Sequence, residues 1–274
     1  MTIKQQSDPV PVLMYHSVHA DPAPGTERLS VHPAAFAAQL TALCDLGFTT
    51  ITMAALVEHW RLRATGREAP GLPDRPVVLT FDDGYADFHQ TVLPLLAEHR
   101  ATASLYVTTG WLADAGPQQA GRPLGSTLSW GQLTEIAAEG VEIGGHSHSH
   151  PQLDQLPAQL LASELTLNQK LLEQHLQQPL STFGYPFGYS DAAVRRAVHS
   201  HGYVGACAVA NALADPRQQG PYALSRLTVR RGTTLADFRA LVQGRTLTRL
   251  YARDRLLTRG YALTRRARGL LRTG

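Results

Sequence analysis

Short apolar runs alternate with helix-spaced segments along nearly the whole chain, and this rhythm restricts the fold more than any other feature. The runs are "VPVLMY" (10–15), "FTTITM" (48–53), "VVLTF" (77–81), "ATASLYVTT" (101–109), "VEIGG" (141–145), "STFGY" (181–185), "YVGACAVA" (203–210) and "ALSRLTVRR" (223–231). Each is short enough for a strand buried on both faces. Between them, Phe36, Leu40 and Leu43 recur at helical spacing and stop at Gly47. Further helices are expected over 54–62, 86–99, 129–140 with Ser129 as N-cap, 156–178 and 190–201. Alternating strand and helix implies an α/β protein with a parallel sheet covered by helices. About seven strands favour a barrel, closed or open. In such a barrel reactive groups gather where strands give way to loops, at the C-terminal face.

The 274 residues suit one large domain, with no internal repeat and no linker to divide it. Charged residues make up 17% and apolar residues 43%, an ordinary globular balance, and the net charge is only +3. Cys44 and Cys207 are too few and too far apart for a disulfide framework or a zinc knot. The start, "MTIKQQSDPVPVLMYHSV", lacks the basic, apolar and small-residue order of a secretory leader. No stretch approaches a membrane span. These features give an expectation of cytoplasmic location, with contact at the inner membrane surface left open.

Two clusters stand at strand ends. The first is "TFDDG", where Asp82 and Asp83 lie side by side at the end of an apolar strand. Two adjacent carboxylates repel unless a cation holds them. The second is "GGHSHSH", which contains His146, His148 and His150. Neutral imidazole is the commonest metal ligand, and two histidines with one carboxylate leave open positions for water and substrate. A divalent ion would explain both clusters at once. One aspartate would ligate it, and the other would remain ionised beside it as a base. Other schemes find less support. There is no G-x-S-x-G elbow, no G-x-G-x-x-G and no P-loop. Glycosidase carboxylates need separate elements about 5–9 Å apart, which adjacent aspartates do not supply.

The order "TFDDG", then "HSHSH", then "YPFG" resembles the polysaccharide deacetylases of the NodB-homology group, carbohydrate esterase family 4, from about Val10 to Val229. The resemblance implies a deformed (β/α)7-type barrel, the NodB homology fold, and hydrolysis of N-acetyl groups from amino sugars in a polysaccharide or glycan. It implies Asp82 as general base and Asp83, His146 and His150 as ligands of a divalent metal, with zinc first and nickel, cobalt or iron also suited. His148 falls outside that triad. The family's third motif is commonly Arg-x-Pro-aromatic, whereas this chain reads Gly184-Tyr185-Pro186-Phe187. This variant is similar to the poly-N-acetylglucosamine deacetylase branch. Tyr85, Tyr185, Pro186 and Phe187 are then expected around substrate and oxyanion. The fourth and fifth motifs, Asp-Trp and Leu-x-His, are absent, and no histidine follows His201. Two residues are candidates to compensate. His16, in "MYH" at the end of the first strand, is an acid or substrate-binding candidate. Arg226, in "LSRLTV", could pair with Asp82 in place of the missing arginine.

The catalytic domain is expected over 1–234 and a basic helical extension over 235–274. Arginines 239, 245, 249, 253, 255, 259, 265, 266, 268 and 272 face only Asp254 within their own stretch. Such a segment suits an anionic membrane surface or a polyanion. The expected partner is an N-acetylated glycan or a lipid-linked amino sugar, not nucleic acid. The alternatives are a deformylase or deacylase of a lipid-linked amino sugar, and a catalytically weak carbohydrate-binding module.

Overall fold

The computed structural model describes residues 9–252 and Asp254. Its strands are β1 (Val12–Tyr15), β2 (Ser17–Val18), β3 (Ser30–Val31), β4 (Thr49–Ile51), β5 (Pro76–Phe81), β6 (Ser104–Val107), β7 (Glu142–Gly145), β8 (Thr182–Gly184), β9 (Gly205–Cys207) and β10 (Leu227–Thr228). Its helices are α1 (Pro33–Asp45), α2 (Met53–Ala64), α3 (Leu93–Glu98), α4 (Trp130–Ala138), α5 (Ala158–Leu176), α6 (Ala192–Ser200), α7 (Pro216–Gln219), α8 (Leu235–Val242) and α9 (Leu247–Leu250).

The main sheet is parallel throughout and runs β10-β1-β5-β6-β7-β8-β9. β4 pairs with the first half of β5, opposite Pro76, Val77 and Val78. β2 and β3 form a separate parallel pair. The seven strands on the path make the expected deformed barrel, and β4 is an eighth member outside that sequence of neighbours. β9 and β10 are not paired as strands. A single bridge from Cys207 to Leu224 spans the gap, and the chain then leads into Arg226. Strands buried on both faces need no alternation, and the continuous apolar runs of β1, β5 and β6 follow from this.

Local chemistry sets the helix ends. Ser129 and Gln132 form a reciprocal capping box that starts α4. Asp191 caps α6 and Thr234 caps α8 through their side chains. After α1, Gly47 takes φ +73° and the chain reverses into β4. The helix expected over 86–99 opens as a wide π-type turn, Phe88–Val92, before α3. From 235 onward the chain first packs on the barrel. Phe238, Leu241 and Val242 of α8 join the main core beside α1, and the Tyr251 hydroxyl donates to the Thr228 carbonyl. The expectation for the basic tail beyond Asp254 lies outside the described residues. No helix among the described residues is long and apolar enough to cross a membrane.

Candidate active site

The two clusters, the YPFG stretch and the MYH stretch all sit at the C-terminal ends of strands. Asp82 and Asp83 follow β5, His146 follows β7, Phe187 follows β8 and His16 follows β1. Asp82 continues the strand pairing through its N–H to the Tyr15 carbonyl. Asp83 (φ +79°) and Gly84 (φ +83°) then turn the chain sharply. Ser147, His150 and Phe187 also take positive φ. Backbone strain of this kind costs roughly 1–3 kcal/mol per residue and collects at functional sites. Here it lies in the three loops that converge on one cleft.

Asp83, His146 and His150 meet there. Asp83 Oδ1 lies 3.3 Å from His146 Nε2 and 3.2 Å from His150 Nε2. Their candidate ligand atoms all fall within 4.8 Å of one another, the arrangement that could hold a metal ion. Asp83 Oδ1 is buried and has no hydrogen-bond partner by distance and angle criteria. His146 Nδ1 approaches the Gly184 carbonyl at 2.6 Å, so the proton sits on that nitrogen and Nε2 is left as a lone pair facing Asp83. A carboxylate oxygen and two imidazole nitrogens around one small space fit a divalent cation better than they fit each other.

Asp82 is held differently. Arg226 donates Nη1 to Oδ1 at 2.6 Å and Nη2 to Oδ2 at 2.8 Å, and its side chain is 0% exposed. The guanidinium also donates to Thr80 Oγ1 and the Ala208 carbonyl and lies over the Tyr106 ring. Burial alone would raise the Asp82 carboxyl. The Arg226 charge opposes it, and together with His146, His16 and the Arg226 hydrogen bonds it holds the group below its ordinary range. The two adjacent carboxylates therefore have separate neighbours: an arginine for Asp82, and for Asp83 two imidazoles with which it could hold a metal ion.

His16 lines the same cleft, and its Nδ1 is buried without a partner. Burial lowers its pKa, against the opposing pull of Asp83 and Asp82. Tyr85 is buried on the cleft wall, and burial raises its phenol well above the ordinary value. Phe187 is 52% exposed at the mouth. The structure departs from expectation at Tyr185 and Pro186, which do not line the cleft. The Tyr185 ring is fully buried beside Phe183, and its hydroxyl donates to the Tyr222 carbonyl. Strand alternation turns this side chain inward, so its contribution is to packing.

The cleft encloses about 510 Å³, within the usual range of small-molecule sites. Sequence reading missed several of its parts. Trp111, just beyond β6, sets its ring 4.7 Å from that of His150, and Phe187 stands 4.7 Å away as well. The strand-end rule applied to "YVTTGW" would have found Trp111. Behind the histidines, Glu164 of α5 accepts from the N–H groups of His148 and Ser149, and Asn168 donates to the carbonyls of Val107 and Ser147. These polar residues on the inner face of α5 brace the loop, and no pattern in the sequence singles them out. His148 turns away to pair with Thr109 Oγ1.

Beneath Arg226, Cys207 is fully buried 3.3 Å from the Tyr106 hydroxyl, and burial pushes its thiol up to about 11. Cys44 is exposed. Titration with a thiol reagent at mildly alkaline pH is therefore expected to label Cys44 in the native protein and Cys207 only after denaturation. Rapid native labelling of both would contradict the burial described.

The family model for polysaccharide deacetylase matches residues 70–206, half of the chain, and carries Asp82, Asp83, His146 and His150 within it. The chain belongs to the polysaccharide deacetylase family. YxkH of Bacillus subtilis (strain 168), whose name assigns it provisionally to these deacetylases, is 28% identical over 236 residues, 85% of this chain and 76% of that protein. The poly-beta-1,6-N-acetyl-D-glucosamine N-deacetylase of Escherichia coli (strain K12) is 29% identical over 147 residues, 50% of this chain and 20% of that protein. The Streptococcus pyogenes deacetylase PplD, solved in complex with acetate, shares the fold. Its TM-score is 0.74 at 23% identity, over 87% of this chain and 99% of that one. As a member of the polysaccharide deacetylase family, the chain is a hydrolase that removes acetyl groups from a polysaccharide. His16 and Arg226 lie outside the matched stretch.

Proposed function

We propose that this polysaccharide deacetylase hydrolyses the acetamide of a glycan in the cleft around Asp82, with a divalent ion, zinc first, held by Asp83, His146 and His150. The observation that carries the reading is the convergence of those three ligand atoms beside a second carboxylate that has its own arginine. Nickel, cobalt or iron would suit the same donors. The ion would supply Lewis acidity, acidifying water and polarising the amide carbonyl.

The side chains supply the proton traffic. Asp82 takes the proton that the attacking water loses. Arg226 keeps it ionised at rest and aims both oxygens. The Trp111 and Phe187 rings flank His150 and restrict water around it. The backbone N–H near Phe187 would serve the developing oxyanion. As the C–N bond breaks, the amine must gain the proton that water gave up. His16 is the group we assign to deliver it. Neutral at rest through burial, it passes on a proton received in the reaction and does not begin as a charged acid.

Acetate release from N-acetylglucosamine oligomers tests the reading. Metal-loaded protein is expected to release acetate, and chelation to abolish release. His16→Ala is expected to lower kcat by about 10²–10⁴-fold with metal content unchanged. An unchanged rate would assign the returning proton to another group. No acetate from the metal-loaded protein would remove the cleft assignment. For the arginine-rich segment, we propose contact with an anionic membrane surface. Unchanged binding to anionic liposomes after deletion of residues 255–274 would refute it.

A further inference from the structure

Tyr106 of β6 is fully buried and packs with Val12, Val78, Met53 and Leu224 inside the barrel, whereas its neighbours Leu105 and Val107 join the main core under the helices. Glycines on the next two strands make room for its ring. Tyr106 stands opposite Gly144 in the register of β6 and β7. A Cβ at Gly144 would lie 2.6 Å from Tyr106 Cε1, and one at Gly184 of β8 would lie 2.8 Å from Tyr106 Cδ2. Both approaches are closer than packed carbon atoms come, so the slot needs glycine at both positions.

The ring meets the catalytic cleft from below, and it touches both of the cleft's charged centres. The Arg226 guanidinium carbon lies over it, 5.6 Å from the ring centroid. The His146 imidazole stacks with it at 6.4 Å between centroids, with 29° between the planes. Arg226 makes its hydrogen bonds to Asp82, Thr80 and Ala208 in the plane of the guanidinium. Those bonds do not hold the group against movement along its own normal, and an aromatic face does.

The other end of the ring is tied down. Thr182 Oγ1 donates to Glu142 Oε1, which leaves it to accept from the Tyr106 hydroxyl 3.3 Å away. Glu142 Oε2 accepts from Ser104 Oγ and from the Ala54 N–H in the first turn of α2, and the Met53 N–H donates to Ser104 Oγ. The hydrogen bonds therefore run from Tyr106 to a carboxylate at the start of β7, the opposite end of the strands from Asp82. Such a chain of oriented groups stiffens each of its members.

We propose that Tyr106 is a positioning residue for the reaction: its ring sets Arg226, and through it Asp82, at a fixed place relative to His146. The inference rests on the deacetylation reading and deepens it. The division of labour within the residue follows from its contacts. The face of the ring aligns the base with the candidate metal ligand, and the hydroxyl contributes to stability.

The test compares metal-loaded wild type with Tyr106→Phe, Tyr106→Leu and Tyr106→Met, the two aliphatic variants together securing a folded protein without the ring. In Tyr106→Leu and Tyr106→Met, kcat for acetate release from N-acetylglucosamine tetrasaccharide is expected to fall about 10²-fold, the cost of misplacing a reacting group by about 1 Å, with KM within about twofold of wild type. Metal content should stay at the wild-type level. Tyr106→Phe keeps the aromatic face and is expected to recover kcat to within about threefold of wild type. It loses the bond to Thr182, so it should still unfold at lower urea concentration than wild type. A residue that served packing alone would lower the stability of all these variants and leave the kcat of the folded protein as it was. Wild-type kcat in the aliphatic variants, or a Tyr106→Phe kcat as low as theirs, overturns the proposal. Visible absorption of the cobalt-loaded proteins gives a second readout. The bands are expected to move in the aliphatic variants and to keep their wild-type positions in Tyr106→Phe. Absence of acetate release from every glycan would overturn the deacetylation reading instead. The cobalt spectra then decide the positioning role by themselves, and unmoved bands in the aliphatic variants overturn it.

Discussion

Asp82→Asn is expected to reduce acetate release by about 10²–10⁴-fold, the usual contribution of a positioned general base. The amide keeps the shape of the carboxylate and one acceptor oxygen, but it cannot take the proton from water. Asp83, His146 and His150 are untouched, so metal content measured on the purified variant should match wild type. That split between activity and metal loading distinguishes a base from a ligand. Asp83→Asn or His146→Ala should instead lose metal and activity together. If Asp82→Asn kept more than about a tenth of wild-type kcat, the base would have to be another group. The variant should also be less stable, because Arg226, fully buried, would lose its counter-charge.

Arg226→Met is expected to have the largest effect on stability, a loss of about 3–5 kcal/mol, because it leaves a buried carboxylate without its partner. The sign of its pH dependence follows from the Asp82 shift. In wild type Asp82 is held below its ordinary range, so its contribution is present above that range and is lost as pH falls through the folded-state value. Without Arg226, burial raises the carboxyl instead. The penalty of the variant is then greatest near neutral pH, where Asp82 must be charged or take up a proton. It narrows as the solution becomes acidic and the group is neutral in either protein. Urea melts of both proteins at neutral and mildly acidic pH measure this directly. A deficit that stayed constant with pH would assign the loss to packing. The double variant Asp82→Asn/Arg226→Met is expected to recover part of the loss, since it removes both charges together.

The candidate metal-ligand residues were legible because their chemistry is concentrated in single short stretches. "TFDDG" puts two carboxylates at a strand end, and "HSHSH" puts two imidazoles within one loop. Arg226 was a candidate only because it lies near the last strand, 144 residues from Asp82 in the chain. Tyr185 shows the limit of the same reasoning. Its position beside Phe187 suggested the cleft, but the register of β8 against β7 and β9 points its ring into the core. Glu164 and Asn168 carry no motif, and their importance appears only when α5 packs behind the histidine loop.

The alternation of strand and helix, the parallel sheet and the residue types of the candidate metal site could be read from the sequence. Those properties rest on local periodicity and on donor chemistry, which travel with the chain. Tertiary structure alone decided which carboxylate met the arginine, which aromatic rings flanked His150 and which residues of α5 braced the histidine loop. These contacts join residues far apart in sequence. They depend on strand register and on the direction in which each loop leaves the barrel, and both are set by packing of the whole core.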